Sequence, residues 1–259
     1  MCGICGELRL DNSQPDRTVA ERMLQVLRPR GPDDEGVWQH GPLQLGHRRL
    51  SILDLSERGH QPMVDETREL AIVFNGTIYN YVELREELRG LGYRFHSSGD
   101  TEVILNAYHA WGVSCVERFA GMFAFALWDG NSQQLHLVRD RMGIKPLYWF
   151  QDGDRLLFAS TLPALLAAGG IDTEFDSFAL HNHFSLHAVV PAPRTLFRQI
   201  HKMEPAHWLT IERSGATRLH RYWSLQAQRP VTGMSEWEWA EAVRESLMQA
   251  VERRRAASD

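Results

Sequence analysis

MFAFALWDGNSQQLHLVR, residues 122–139, and LYWFQDGDRLLFA, residues 147–159, each set two short apolar runs on either side of an Asp-Gly pair. Runs rich in aromatic and aliphatic residues, joined through dipeptides that tolerate positive φ, form hairpins. Met122–Trp128, Leu135–Arg139, Leu147–Phe150 and Arg155–Ala159 therefore predict a meander of antiparallel strands. Upstream, Gly3–Leu10, Val37–His40, Leu43–His47, Leu50–Leu55 and Glu69–Phe74 also have strand character. The last of these ends at Asn75-Gly76, a dipeptide read as a tight turn.

Four helices are expected among these strands. One opens at a capping box, Thr18-Val19-Ala20-Glu21, with Met23, Val26 and Leu27 on its apolar face. A second has Asn80 as N-cap, Leu84, Leu88 and Leu91 on one face, and Gly92 as its end. A third covers Thr101–Trp111 and stops at Gly112; a fourth covers Pro163–Ala168 and stops at Gly169-Gly170. Hairpins without regular βαβ alternation indicate an α+β protein whose antiparallel sheets carry helices on their outer faces. Past Trp223 a polar linker, 224–233, leads to another capping box, Ser235-Glu236-Trp237-Glu238. The amphipathic helix that follows, with Val243, Leu247, Ala250 and Val251, has no second core to pack on and is expected to begin a further, missing domain.

Composition excludes several classes of function. Across 259 residues, 28 Lys and Arg against 33 Asp and Glu give a net charge of −5, and no basic run marks a nucleic-acid surface. The longest apolar runs fall far short of the roughly 20 residues that span a bilayer, and no signal sequence is visible, so a cytoplasmic protein is expected. Three cysteines, Cys2, Cys5 and Cys115, form no disulfide framework.

Cys2 carries the first chemical hint. Removal of Met1 would put a free α-amine and a thiol on one residue, with ordinary pKa values of about 7.7–8.0 and 8.5. The amine can then take the thiol proton near neutral pH without help from His or Asp.

Seven further stretches give that hint a context: Met1-Cys-Gly-Ile4, Arg30-Gly-Pro-Asp33, Gly46–Ile52, Phe74–Asn80, Gly99–Ile104, Gly121–Ala126 and Arg139–Tyr148. Together, in this order, they resemble the class II glutamine amidotransferase domain of the asparagine synthetase family, over residues 1 to about 223. The resemblance implies an N-terminal-nucleophile hydrolase fold, a four-layer αββα sandwich of two antiparallel sheets. It also implies that Cys2 attacks the glutamine side-chain amide, with Asn75 (side-chain NH₂) and Gly76 (backbone N–H) stabilising the oxyanion. Arg49 would grip the α-carboxylate bidentately, Leu50, Ser51, Ile52 and Leu53 would line the pocket by backbone, and Asp100 would pair with the α-ammonium. Thr77 stands where relatives usually carry an acid, leaving Asp100 with less help. Residues Phe158–Gly170 and Leu186–Arg194 resemble the N-acetylglutaminylglutamine amidotransferases, which amidate a dipeptide osmolyte; the glutaminase domain of an asparagine synthetase and a non-catalytic glutamine-sensing or scaffold module are the alternatives. On this reading residues 224–259 are the linker and first helix of a truncated synthetase-like domain. ATP and Mg²⁺ would act only there, and the glutaminase part needs no cofactor or metal. Expected partners are L-glutamine, a synthetase domain in cis or trans, and optionally a second copy of the chain.

Plainer readings compete at several residues. Cys2 and Cys5 form a C-x-x-C, but a redox or zinc role lacks the strand–helix context and two further ligands. His181, His183 and His187 have spacings that scatter them over a helix. Arg49 and Asp100 could be a structural ion pair, and Arg253–Arg255 a solvated helix end.

Overall fold

The computed structural model describes residues 1–227 and 233–255. Alternating strands bury one face in the middle of the molecule and the other under helices. One six-stranded antiparallel sheet contains β1 (Gly3–Arg9), β2 (Asp34–His40), β3 (Leu43–Arg49), β8 (Tyr148–Gln151), β9 (Arg155–Ala159) and β10 (His201–Lys202), in the order β10-β8-β9-β1-β3-β2. The other contains β4 (Met63–Asp65), β5 (Leu70–Ile78), β6 (Gly121–Asp129), β7 (Gln134–Arg139), β11 (His207–Glu212) and β12 (Thr217–Arg221), in the order β12-β11-β7-β6-β5-β4. The expected meander is present, but β6–β7 and β8–β9 lie in different sheets.

Three buried clusters define the layers. Ile4, Leu8, Leu43, Leu45, Ala71, Val73, Ala124, Ala126 and Phe158 meet between the sheets. Helices α1 (Arg17–Leu27) and α4 (Leu162–Ala167) cover the first sheet through Cys5, Met23, Leu24, Leu157 and Leu165. Helices α2 (Tyr81–Gly90) and α3 (Asp100–Trp111) cover the second through Ile72, Phe74, Leu88, Ile104 and Phe125. The result is the expected αββα sandwich. A short helix α5 (Ser177–Ser185) and a long one, α6 (Glu236–Arg255), complete the described elements.

Several local expectations are corrected. Asp16, not Thr18, caps α1 by accepting the Thr18 N–H at 2.9 Å, and Glu21 pairs instead with Arg17 on the surface. Val26 and Leu91 are exposed rather than on the packed faces. Asn80 stands at the N-cap of α2, but its side chain bonds the Arg118 carbonyl and the Ala120 N–H. Leu50–Leu55 is a loop, not a strand, because the Arg49 guanidinium gathers the carbonyls of Leu53, Asp54 and Ser56 into a curl. Asn75-Gly76 is not a turn. β5 runs straight through it, pairing Asn75 with Ala124 and Gly76 with Phe123. Glycine is required there by close approach: a Cβ on Gly76 would lie 2.3 Å from the Met122 carbonyl oxygen and 2.6 Å from Phe123 Cα.

The capping box at Ser235–Glu238 forms, with the Glu238 carboxylate accepting from the Ser235 N–H at 2.7 Å and Ser235 Oγ accepting the Glu238 N–H at 3.3 Å. No residue of α6 is buried. Of the linker expected over 224–233, residues 228–232 lie outside the described residues, as do 256–259 beyond the Arg253–Arg255 run.

Candidate active site

The inner faces of three strands turn from apolar to polar as they reach one end of the sandwich. On β3 the series Leu43, Leu45 continues as His47 and Arg49; on β5 Ala71 and Val73 continue as Asn75 and Thr77; before β1, Cys2 shares the parity of Ile4. His47 Nε2 lies 3.1 Å from the Phe74 carbonyl oxygen, a buried bond that ties the two sheets just behind this end. Burial pushes the His47 pKa down to about 3, which keeps the ring neutral.

At that end lies a cavity of about 190 Å³ lined by Cys2, Arg49, Leu50, Ile52, Leu53, Asn75, Gly76, Thr77 and Asp100, among others. Every residue singled out from the sequence is thus brought together except Ser51. Ser51 is not part of that lining, and its N–H is held by Asp33 Oδ2 at 2.8 Å. The Cys2 thiol sits against the Leu50 backbone, 3.4 Å from its nitrogen and 3.6 Å from its oxygen. Burial raises the thiol pKa, opposed by the Leu50 bond and by the positive charges of the chain start and Arg49. Cys5 belongs to a different layer. It packs under α1 with its pKa pushed up to about 12 by burial, so the C-x-x-C pair is split between the two faces of the sheet.

The hydrogen-bond parity of β5 arms the opposite wall. Phe123 on β6 directs its N–H and carbonyl to Asp140, away from β5, so its neighbour Gly76 belongs to a pair with no mutual hydrogen bonds. Residues of the same parity as Gly76 send their N–H groups off the open edge: Phe74 to Gln61 Oε1 at 2.6 Å and Ile78 to Asp100 Oδ2 at 2.9 Å. Between them the Gly76 N–H faces the cavity. Beside it Asn75 is 1% exposed, and among the described residues its Nδ2 has no hydrogen-bond partner. An unpaired buried donor costs about 1–3 kcal/mol. The Asn75 amide, unpaired among the described residues, and the Gly76 N–H, directed off the strand edge by parity, lie on one cavity wall and suit an oxygen that becomes negative during a reaction.

Arg49 and Asp100 do not pair with each other. Arg49 is buried, and three of its five N–H donors go to loop carbonyls, so the anticipated fork is partly occupied; Nε–H and one Nη1–H remain. Asp100, the first residue of α3, is 4% exposed, and burial lifts its pKa to about 6 despite the Ile78 and helix N-terminal N–H groups. Thr77 lines the wall beside Gly76.

Sequence reasoning missed Gln61 and Lys145. Gln61 is buried and bridges Phe74 N–H to Thr101 Oγ1, at 2.6 and 3.2 Å, fixing the free edge of β5; no signal in its neighbourhood marks it. Lys145 lay inside one of the quoted stretches without being assigned a task. Ser160 and Thr161, within the 158–170 stretch, have structural work. Ser160 Oγ accepts the Ile4 N–H at 3.0 Å and Thr161 caps α4. Among the described residues no group of three or more His, Cys, Asp or Glu could hold a metal; His181 and His183 lie on α5, and His187 just past it.

A thiol, two N–H donors, a cation and a carboxylate line one cavity, an arrangement suited to acyl transfer. The family described as glutamine amidotransferase domain matches residues 1–223, and the chain belongs to that family. It is 36% identical over 233 residues to asparagine synthetase [glutamine-hydrolyzing] 3 of Bacillus subtilis, covering 88% of this chain and 38% of that protein. It is 35% identical over 252 residues to putative asparagine synthetase [glutamine-hydrolyzing] 2 of Methanocaldococcus jannaschii, covering 89% and 48%. This chain therefore spans between about a third and a half of the length of such relatives. In structure it is similar to glutamine phosphoribosylpyrophosphate amidotransferase of B. subtilis, with a TM-score of 0.63 over 88% of this chain and 50% of that one at 19% identity, which shows a shared fold. It is a class II glutamine amidotransferase domain, related to asparagine synthetases. No described helix is long and apolar enough to cross a membrane.

Two outcomes are expected of the site. Asn75→Ala should lower the turnover of glutamine hydrolysis about 10²–10³-fold, the cost of one oxyanion donor, with thermal stability maintained because an orphaned amide is being removed. A steady-state ammonia assay and a melting curve check it. Asp100, ionised above about 6 and protonated below, should make KM for glutamine rise as pH falls through that value. Asp100→Asn should raise KM and abolish that pH dependence, as read from KM between pH 5 and 8.

Proposed function

We propose that residues 1–223 hydrolyse L-glutamine to glutamate and ammonia through a thioester on Cys2. The observation that carries this is the buried, unpartnered Nδ2 of Asn75 next to the edge-facing Gly76 N–H, in the cavity that also holds the Cys2 thiol. Once Met1 is removed, the Cys2 thiol proton passes to its own α-amine and Sγ bonds to the amide carbon. The carbonyl oxygen takes up the negative charge against Asn75 and Gly76. Collapse breaks the carbon–nitrogen bond, ammonia leaves with the proton from the amine, and water cleaves the thioester. Asp100 receives the substrate α-ammonium, and Arg49, with the backbone of Leu50–Leu53, its α-carboxylate.

The intact mass of the purified chain before and after treatment with a diazoketone analogue of glutamine tests this reading. The expected result is loss of Met1 and a single adduct mapped to Cys2, suppressed by excess glutamine. A Met1-free chain that takes no adduct would sink it and leave a scaffold or remnant.

For the use of the ammonia, we propose that residues 224–259 are the linker and first helix of a synthetase-like domain that binds ATP and Mg²⁺ and amidates an acceptor carboxylate. Support comes from the apolar residues Val243, Leu247 and Val251, all exposed on α6, and from relatives of which the match covers only 38% and 48%. The stretches Phe158–Gly170 and Leu186–Arg194 favour N-acetylglutaminylglutamine over aspartate as that acceptor. In a protein joining this chain to such a domain, glutamine-dependent amidation is expected with acetylated diglutamine and absent with aspartate; the reverse would make it an asparagine synthetase.

A further inference from the structure

Lys145 lines the same cavity as Cys2, yet nothing in the proposed chemistry uses it. Its backbone is fixed on both sides, with the N–H donating to Asp140 Oδ2 at 2.9 Å and the carbonyl accepting from Arg139 Nε at 2.8 Å. Asp140, fully buried, also receives the N–H groups of Phe123, Met142 and Ile144, at 3.1, 3.1 and 2.9 Å. The 140–145 loop is thereby a rigid mount tied to β6, the strand that sets the register of Asn75 and Gly76. From it Lys145 reaches inward and is only 6% exposed, while Met142 and Ile144 on the same loop are exposed. Among the described residues its ammonium forms no ion pair with a carboxylate. An anion forming beside it in the cavity would supply that missing counter-charge.

We propose that Lys145 is a positioning residue for the nucleophile: from its mount in the 140–145 loop its charge favours the Cys2 thiolate and the uncharged Cys2 α-amine, without touching glutamine. This rests on the reading of Cys2 as an N-terminal nucleophile. The proton still moves only from thiol to amine, and no bond to Lys145 forms or breaks. A positive charge lowers the pKa of a neighbouring thiol and of a neighbouring ammonium alike, so the amine starts the reaction uncharged and able to take the proton, and the thiolate is stabilised; within the transfer itself the gain at sulfur is set against the loss at the ammonium.

The other charges around the chain start are Arg30, whose Nε donates to the Cys2 carbonyl at 3.0 Å, Asp33 in the loop after it, Arg49 at the end of β3 and Asp100 at the start of α3. In the chain that still carries Met1, burial lowers the pKa of the Met1 amine, a charge on Cys2 opposes this, Arg30 and Lys145 lower it further and Asp33 opposes. Lys145 is itself lowered by burial and by Arg30, while a charge on Cys2 or Asp140 raises it.

The experiment is the pH dependence of Cys2 alkylation by iodoacetamide, on the chain prepared with Cys2 as its first residue and verified by intact mass. Peptide mapping follows Cys5 and Cys115, both buried, as reporters of an intact fold. Lys145→Met is expected to move the acid limb of the profile to higher pH by about 0.5–1 unit, the scale of one charge in a partly screened site. Lys145→Arg should restore it. Should Lys145→Met expose Cys5 or Cys115, Lys145→Gln is the second neutral variant. Superimposable profiles for the wild type and the neutral variant overturn the proposal, as does a shift that Lys145→Arg shares in full, which would assign the effect to shape rather than charge. Alkylation needs no glutamine, so failure of the diazoketone to label the wild type would remove the glutaminase reading while this profile is read on its own.

Discussion

The pairing of β5 with β6 is the constraint on which the site depends. Nine residue pairs, from Leu70 opposite Asp129 to Ile78 opposite Gly121, fix which backbone groups of β5 are consumed by the sheet and which face out. Because β4 pairs only with residues 70–72, the edge of β5 is open beyond them. Gln61 closes the position at Phe74, Asp100 closes the one at Ile78, and the position between them stays open at Gly76. Shifting the register by one residue would turn the Gly76 N–H into the sheet and rotate Asn75 out of the inner face. The missing Cβ at Gly76 is what lets β6 come close enough for that register to hold.

Burial shapes the electrostatics of the same end of the molecule. The inner faces of β3 and β5 give a dry core as long as they carry Leu, Ala and Val, and the substitution of His, Arg, Asn and Thr at their last positions brings polar groups into a setting where unmet hydrogen bonds are expensive. Most are met by protein: His47 by the Phe74 carbonyl, Arg49 by loop carbonyls, Asp100 by the Ile78 N–H. The Asn75 amide is not. Its Nδ2 is one of six buried side-chain polar atoms without a partner among the described residues, and of those six only that of Asn75 belongs to a residue that lines the cavity.

The fold class was legible in the sequence because hairpin turns and strand alternation are local signals. Sheet membership was not: β6–β7 and β8–β9 look alike along the chain, and only long-range pairing sends one pair to each sheet. Asn75-Gly76 shows how a local rule misleads, since the dipeptide that favours a tight turn is here a straight strand segment whose glycine answers a neighbouring backbone. Leu50–Leu55 fails as a strand for a similar reason, because a guanidinium from the preceding residue competes for its carbonyls. Site residues were legible through stretches that hold several of them together. Gln61 was not, because its role is to close a strand edge more than ten residues away in sequence, and a lone glutamine carries no mark of that.

The charges that line the cavity determine how a zwitterion can be held. Asp54 and Asp100 are both carboxylates of this wall, but Asp54 is occupied by the Ser56 hydroxyl and the Ser56 and Ser98 N–H groups, with its pKa lowered accordingly. Asp100 has the opposite balance: burial outweighs its N–H partners and raises its pKa, so it gains most from a cation. An arriving ammonium would offset that burial cost and draw the carboxyl back toward its ionised form. Arg49 is in the converse position. A carboxylate taking the free Nε–H or Nη1–H would leave the loop bonds in place, whereas one taking the Nη2 donors would displace the Leu53 and Asp54 carbonyls, and charge-assisted bonds of that kind are roughly twice as strong as those to neutral carbonyls. On the glutaminase proposal, holding the substrate carboxylate at Arg49 is then a difference between two sets of bonds, and the shape of the 50–56 loop is part of its cost.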